Sequence, residues 1–276
     1  MIFGCITAVS AIVAAAVCWI YGNFASLGIL LRALGSFAGC FVILSLGAVV
    51  VLWLFSAVID TSKPQEEDDK LYRKVMLLYA EAIIRYALVD LKVAGLEKAP
   101  EGGRVLLVCN HQSESDPVFL EHVFPKYELS FIAKKEVKDM IIVGKYMHKI
   151  HFQPLDREND REALKTILRC VQLIKNDIVS IGVFPEGGML GDYKLYPFRP
   201  GVFKIAQKAG VPIMVCTLRG TTDLFRNLKR LKRTQVELHL VDVIPAEELK
   251  GKTAVEISDR VHQLMAEDLG PAWQLP

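Results

Sequence analysis

The chain has 276 residues, 52% of them hydrophobic, with 33 Lys and Arg against 31 Asp and Glu. A net charge of +2 points to no partner class by itself. The cysteines at 5, 18, 40, 109, 170 and 216 form no CxxC pair and show no metal-ligand spacing, which excludes a cysteine-built metal site and leaves buried, reduced thiols suited to a cytosol-facing domain.

The distribution of charge is uneven. Residues 1–59 hold one charged residue, Arg32, and the remaining 217 hold all the others and suit one sizeable domain with its own core. Residues 2–21 are uncharged and long enough to span a hydrocarbon core of roughly 30 Å. Residues 22–36, with Gly22, Asn23, Gly28, Arg32 and Gly35, read as a connection, and 37–59 as a second apolar segment. No basic stretch precedes the first segment and a second follows at once, so a membrane hairpin is expected rather than a cleaved leader; a re-entrant hairpin is the alternative. Lys63, Lys70, Arg73 and Lys74 follow closely, which by the positive-inside bias puts the large domain on the cytosolic side. The expected organisation is an anchor at 1–60, a polar linker at 61–70 and a domain at 71–276.

Leu71, Val75, Leu78, Tyr79, Ala82, Ile83 and Tyr86 recur at helical spacing and predict a helix over 70–89. A strand is expected at Leu91–Gly95. The apolar run Val105–Cys109 predicts a buried strand, broken abruptly by Asn110, His111, Gln112, Ser113, Glu114, Ser115 and Asp116. Asp116-Pro117 reads as a helix N-cap with proline at the first helical position. A histidine at a strand end, with a carboxylate five residues on, suits a general base whose tautomer the carboxylate fixes. An ordinary helix start with a satisfied histidine accounts for the same residues.

Leu129–Ala133 predicts a strand ending in Lys134 and Lys135, and 136–152 a helix carrying Lys138, Lys145, His148 and Lys149. His148 and His151 have the spacing of a metal pair but no third ligand nearby. After the run Ile150–Leu155, Arg157 stands ahead of an amphipathic helix over 159–175 that presents Ala163, Leu164, Ile167, Leu168, Val171 and Ile174. Such a junction supplies a guanidinium to a phosphate; a surface ion pair with Asp156 or Asp160 is the bland reading. The strand Ile178–Phe184 breaks into Pro185-Glu186-Gly187-Gly188, where glycines allow a ligand close to the main chain. A helix at Gly201–Gly210, a strand at Val211–Leu218, an alternating edge strand at Gln235–Ile244 and a helix at 253–269 complete the chain. Residues 226–233 hold five basic groups and no acid; with a membrane anchor in the same chain, anionic lipid head groups are the expected partner rather than nucleic acid. The alternation over 90–270 predicts a three-layer α/β domain, a mixed sheet flanked by helices, with polar groups gathered at strand ends.

Four blocks stand in order: Asn110-His111 with Asp116, Arg157 in Gln-Pro-Leu-Asp-Arg, Phe184-Pro185-Glu186-Gly187, and Val211-Pro212-Ile213. Together they resemble the membrane glycerolipid acyltransferases, the 1-acylglycerol-3-phosphate (lysophosphatidate) acyltransferases and their relatives. The resemblance covers about residues 90–220. It implies transfer of an acyl group from acyl-CoA or acyl-carrier protein to a lysophospholipid hydroxyl at a phospholipid membrane, with no metal and no tightly bound cofactor. It implies His111 as the general base, Asp116 as its orienting partner, and Arg157, Glu186 and Gly187 as acceptor-binding groups. It departs from the family's pattern at one place: the third block usually continues Glu-Gly-Thr-Arg, and here Gly188 and Met189 follow Gly187. A hydroxyl and a guanidinium are missing. Arg157, Arg199 or Lys134 would have to replace them, with Asn110 and Gly188 as further contacts, or the acceptor is a different lipid alcohol or amine. Two readings compete: a hydrolase, which lacks a recognisable nucleophile, and a non-catalytic lipid-binding protein, against which the intact His111, Asp116 and Glu186 argue.

Overall fold

The computed structural model describes residues 1–21, 27–155, 159–189 and 192–275. It divides into two compact units, Met1–Lys63 and Pro64–Pro276. The first unit contains α1 (Ile2–Tyr21) and α2 (Leu27–Ala57). Their 20 and 31 residues correspond to about 30 and 46 Å of helix, so each is long enough to cross a hydrocarbon core. α2 begins at Leu27 and not at residue 37, which corrects the expected connection over 22–36. Gly28, Arg32 and Gly35 lie inside the helix. Each glycine weakens it by only about 1 kcal/mol, and the Arg32 guanidinium sits over the Tyr21 ring at 4.7 Å. Phe3 meets Phe41 edge-on at 6.0 Å, so the helices pack along their length. Their apolar side chains nevertheless face outward: Trp19 is 82% exposed and Ile43 69%. Core helices of a soluble protein bury such residues. Cys5 is exposed, and Cys18 and Cys40 are half-exposed, correcting their expected burial; Cys109, Cys170 and Cys216 are buried, and all six are free thiols.

The second unit runs α3 (Lys70–Tyr86), β1 (Val89–Ala94), β2 (Leu106–Cys109), α4 (Asp116–Val123), β3 (Leu129–Lys134), α5 (Val143–Lys149), β4 (Gln153–Leu155), α6 (Asp160–Lys175), β5 (Ser180–Val183), α7 (Lys204–Ala209), β6 (Ile213–Arg219), α8 (Leu224–Leu228), β7 (Thr234–Ile244) and α9 (Ala254–Leu269). The strands form one seven-stranded sheet in the order β1-β7-β6-β2-β5-β3-β4. β6, β2, β5, β3 and β4 are parallel, and β1 and β7 run against them. Leu106 and Val108 face a core shared with α6, α7 and α9. Leu107 and Cys109 face a second core shared with α3 and α4. A strand covered on both faces reads as a continuous apolar run, which is why Val105–Cys109 shows no alternation. The architecture is the expected three-layer α/β sheet.

Several local expectations change. β7 is not an edge strand, since β1 covers it; its alternation reports one better-covered face and not a free edge. The expected helix over 136–152 is a 3-10 turn at Lys135–Asp139 followed by α5, and a Cβ on Gly144 would fall 2.2 Å from the Lys138 carbonyl, a fold-back that a continuous helix cannot make. The segment 201–210 likewise splits into a 3-10 turn and α7, closed by Gly210 at φ 73. In α6, Leu164 and Leu168 are exposed while Cys170, Val171, Leu173 and Ile174 are buried. In α3, Leu71 and Ile83 face out while Arg73 is buried, its guanidinium gripping both Asp68 oxygens at 2.7 Å and the Leu129 carbonyl at 2.9 Å.

Candidate active site

β2 and β5 are neighbours and parallel, so the loops that follow them emerge side by side at the carboxyl edge of the sheet. Asp116 is the first residue of α4 and not its N-cap; Ser115 holds that position without a side-chain cap. The Asp116 carboxylate turns back instead and organises the preceding loop. Its Oδ2 accepts from Gln112 N at 2.6 Å, Ser113 N at 2.8 Å and His111 Nδ1 at 2.9 Å. Its Oδ1 accepts from the Thr221 hydroxyl at 2.6 Å. Asp116 is fully buried, and four donors converge on it. With Nδ1 donating to a carboxylate, Nε2 of the neutral ring carries the lone pair.

The His111 ring stacks on Phe184 at 4.1 Å and 17°, and Phe184 stacks on Phe131 at 5.6 Å. Gly182 makes this possible, because a Cβ there would lie 2.3 Å from the Phe131 ring. The imidazole is therefore held by a carboxylate at one nitrogen and by an aromatic wall on one face.

Glu186 stands in the adjacent loop, and both its oxygens go to the main chain: Oε1 accepts from His111 N at 2.9 Å and Oε2 from Tyr196 N at 3.0 Å. Burial pushes its carboxyl up, and the two N–H groups oppose that. Gly187 sits at φ 73, and a Cβ on it would lie 2.6 Å from Arg199 Nε. The glycine thus makes room for a protein guanidinium. Arg199 is exposed, its N–H donates to the Pro185 carbonyl at 2.8 Å, and among the described residues no carboxylate pairs with it. Gly188 and Met189 continue the loop, with Met189 partly exposed.

Asn110 lines the cleft, but its carboxamide is bound to β6: Nδ2 donates to the Leu218 carbonyl at 2.9 Å and Oδ1 accepts from Leu218 N at 2.8 Å. Lys134 ends β3, exposed, and is not among the cleft-lining residues. Arg157 lies outside the described residues. His148 lies in the last turn of α5, and His151 is buried at φ 64.

Sequence reading missed Thr221, Lys194 and Thr222 and gave Gln112 no role. Thr221 follows Gly220, whose φ of 89 and closeness to the Gln235 carbonyl (2.1 Å from a Cβ) turn the chain back toward Asp116. Lys194 is the one cation among the described cleft-lining residues; its Nζ donates to the Ala272 and Gln274 carbonyls at 3.0 and 2.9 Å. Gln112 and Thr222 are cleft-lining residues whose Nε2 and Oγ1 are buried with no partner among the described residues. The Gly-Thr-Thr after β6 was the available signal, at the strand end beside β2.

A family model described as Acyltransferase matches residues 90–219. The chain is 34% identical over 212 residues to a protein of Mycoplasma genitalium named as a probable 1-acyl-sn-glycerol-3-phosphate acyltransferase, covering 71% of this chain and 76% of that one. It is 31% identical over 202 residues to a protein of the same name in Mycoplasma pneumoniae, covering 71% and 73%. The crystal structure of the 1-acyl-sn-glycerophosphate (LPA) acyltransferase PlsC from Thermotoga maritima matches its fold with a TM-score of 0.59 at 22% identity, over 79% of this chain and 86% of that one. With this fold and these relatives, the chain is an acyltransferase that belongs to the 1-acyl-sn-glycerol-3-phosphate acyltransferase family.

Proposed function

We propose that this acyltransferase is bound to a membrane through α1 and α2, with the α/β unit on the cytosolic side. It moves a fatty acyl group from the thioester of acyl-CoA or acyl-carrier protein to the free hydroxyl of lysophosphatidate or a related lysophospholipid, giving a phosphatidate-type lipid. The observation that carries this reading is the His111 Nδ1–Asp116 contact of 2.9 Å in the cleft, which leaves Nε2 for the acceptor.

In the proposed step, His111 Nε2 takes the hydroxyl proton as the oxygen attacks the thioester carbonyl. Asp116 stabilises the imidazolium that forms. The tetrahedral intermediate collapses with cleavage of the C–S bond, and the proton passes from His111 to the leaving thiolate. Gln112 Nε2, buried and without a partner among the described residues, would have to turn into the cleft to donate to the developing oxyanion. Glu186 holds the His111 backbone and so acts through the base. Gly187 admits Arg199, which supplies the guanidinium missing at Met189; Lys194 and Arg157 are the other cations for the acceptor phosphate. The chemistry asks for no metal or resident cofactor, and no nucleic acid is a partner.

Gly188-Met189 in place of Thr-Arg motivates a second reading, the same transfer to a lipid acceptor without a phosphomonoester. Labelled acyl-CoA with the detergent-solubilised chain separates the two, against a panel of lysophosphatidate, glycerol-3-phosphate, lysophospholipids with larger head groups, and no acceptor. Product from lysophosphatidate supports the first reading and product only from another acceptor the second. Fatty acid released without acceptor indicates hydrolysis. Silence with acyl-CoA and with acyl-carrier protein removes catalysis.

A further inference from the structure

The sheet order β6-β2-β5-β3 sets the loops after β6 and β3 on either side of the catalytic loops after β2 and β5. All four strands are parallel, so all four loops leave from one edge. The two outer loops share an unusual composition. After β6, Phe225 is 59% and Leu231 81% exposed, and Leu231 is held out at φ 50. Around them stand Arg226, Lys229, Arg230, Lys232 and Arg233, all exposed; Arg226 pairs with Asp223, and the other four have no acidic partner among the described residues. After β3, Met140 and Ile141 are 49% and 74% exposed beside Lys134 and Lys138, with Glu136 and Asp139 as the acids. The segment after β6 is tied to the cleft, since Thr221 binds Asp116 and Asp223 accepts from the Tyr193 hydroxyl at 2.6 Å.

We propose that the loops 134–143 and 224–233 form a membrane-docking surface that seats the carboxyl edge of the sheet on a bilayer containing anionic phospholipid. Apolar tips amid exposed cations match a head-group layer, where the tips enter the acyl boundary and the cations meet phosphates. The catalytic loops lie between the two contacts, so the cleft opens where a lysophospholipid resides. The surface rests on the reading of 110–116 and 184–187 as the active site.

The test uses the full chain in lipid nanodiscs, so α1 and α2 are present in every arm. An encoded environment-sensitive fluorophore replaces Leu231, Ile141 or, as a control, Lys250, which is exposed beyond the far end of β7. We expect the probes at 231 and 141 to shift to the blue and to be quenched by lipid-borne quencher in anionic discs. The probe at 250 stays water-like. In zwitterionic discs the shift at 231 is smaller. Replacing Lys229, Arg230, Lys232 and Arg233 by Gln removes most of the dependence on anionic lipid. Emission at 231 indistinguishable from that at 250 in both compositions overturns the proposal, as does a shift at 231 produced only by added oligonucleotide. Turnover is not the readout, so a chain that shows the shift yet transfers no acyl group would leave the surface standing and remove the reaction instead.

Discussion

Among the described residues stand two His–Asp–Thr constellations, and their difference shows what a site requires. In one, His111 Nδ1 meets Asp116 at 2.9 Å and Thr221 donates to the same carboxylate at 2.6 Å. In the other, His239 Nδ1 meets Asp268 at 2.6 Å and Thr217 donates at 2.5 Å. The contacts are nearly the same; the surroundings are not. Asp116 is fully buried and takes two backbone N–H groups, with no cation on it among the described residues. Asp268 also accepts from Arg219, which bonds the Asp268 carbonyl as well and reaches toward Glu237. A carboxylate shared with a fixed guanidinium has less to offer an imidazolium. His111 stacks on an aromatic ring in a cleft at the carboxyl edge, whereas His239 lies mid-strand on β7. The second set reads as a fastening of α9 to the sheet.

The largest expected effect tests that contrast directly. His111→Ala is expected to lower kcat about 100- to 10,000-fold with the fold intact. His239→Ala is expected to keep turnover and lower Tm by about 2–4 °C, from the loss of about 1 kcal/mol. Steady-state kinetics and thermal melts on both variants decide it, and a similar kinetic loss in the two would erase the distinction.

The threonines sharpen it. Thr221→Val should reduce kcat about tenfold while leaving the acceptor KM near its starting value, because one donor to the orienting carboxylate is lost. Thr217→Val should affect melting only. A raised acceptor KM with normal kcat in Thr221→Val would make the residue a substrate contact and not a positioning one.

Arg199→Ala is expected to raise KM for phosphate-bearing acceptors about tenfold and to leave the thioester KM unchanged, as suits an acceptor cation. Equal changes in both constants would take Arg199 out of the acceptor site.

A third carboxyl completes the comparison. Glu121 is on α4 with Asp116, but its Oε1 has no partner among the described residues, and burial pushes its pKa up from 4.5 to about 8, with Arg73 opposing. Below about pH 4.5 both folded and unfolded chains keep this proton. As pH rises toward 8 the unfolded chain releases it first, so stability falls across that window. Glu121→Gln should flatten the fall with little change in turnover, and Tm measured against pH for both chains reads it directly. An unchanged slope would show that Glu121 ionises normally.

Much of this was legible in the sequence. Two uncharged apolar stretches, buried runs breaking into polar loops, and His111 with Asp116 five residues on are local patterns, and local patterns report helices, strands and the chemistry carried between them. What the chain could not announce was partnership across strands. That Glu186 grips the His111 backbone, that Thr221 completes Asp116, that Gly187 serves Arg199 and that β1 covers β7 all follow from the order β1-β7-β6-β2-β5-β3-β4, which brings together residues up to 145 positions apart, as Val89 and Thr234. Periodicity also left open which side of a helix turns inward: Arg73 went in and Leu71 out because Asp68 and the Leu129 carbonyl waited inside. Secondary structure answers to neighbours in sequence; the roles of polar groups answer to neighbours in space, and only the packed sheet assigns those.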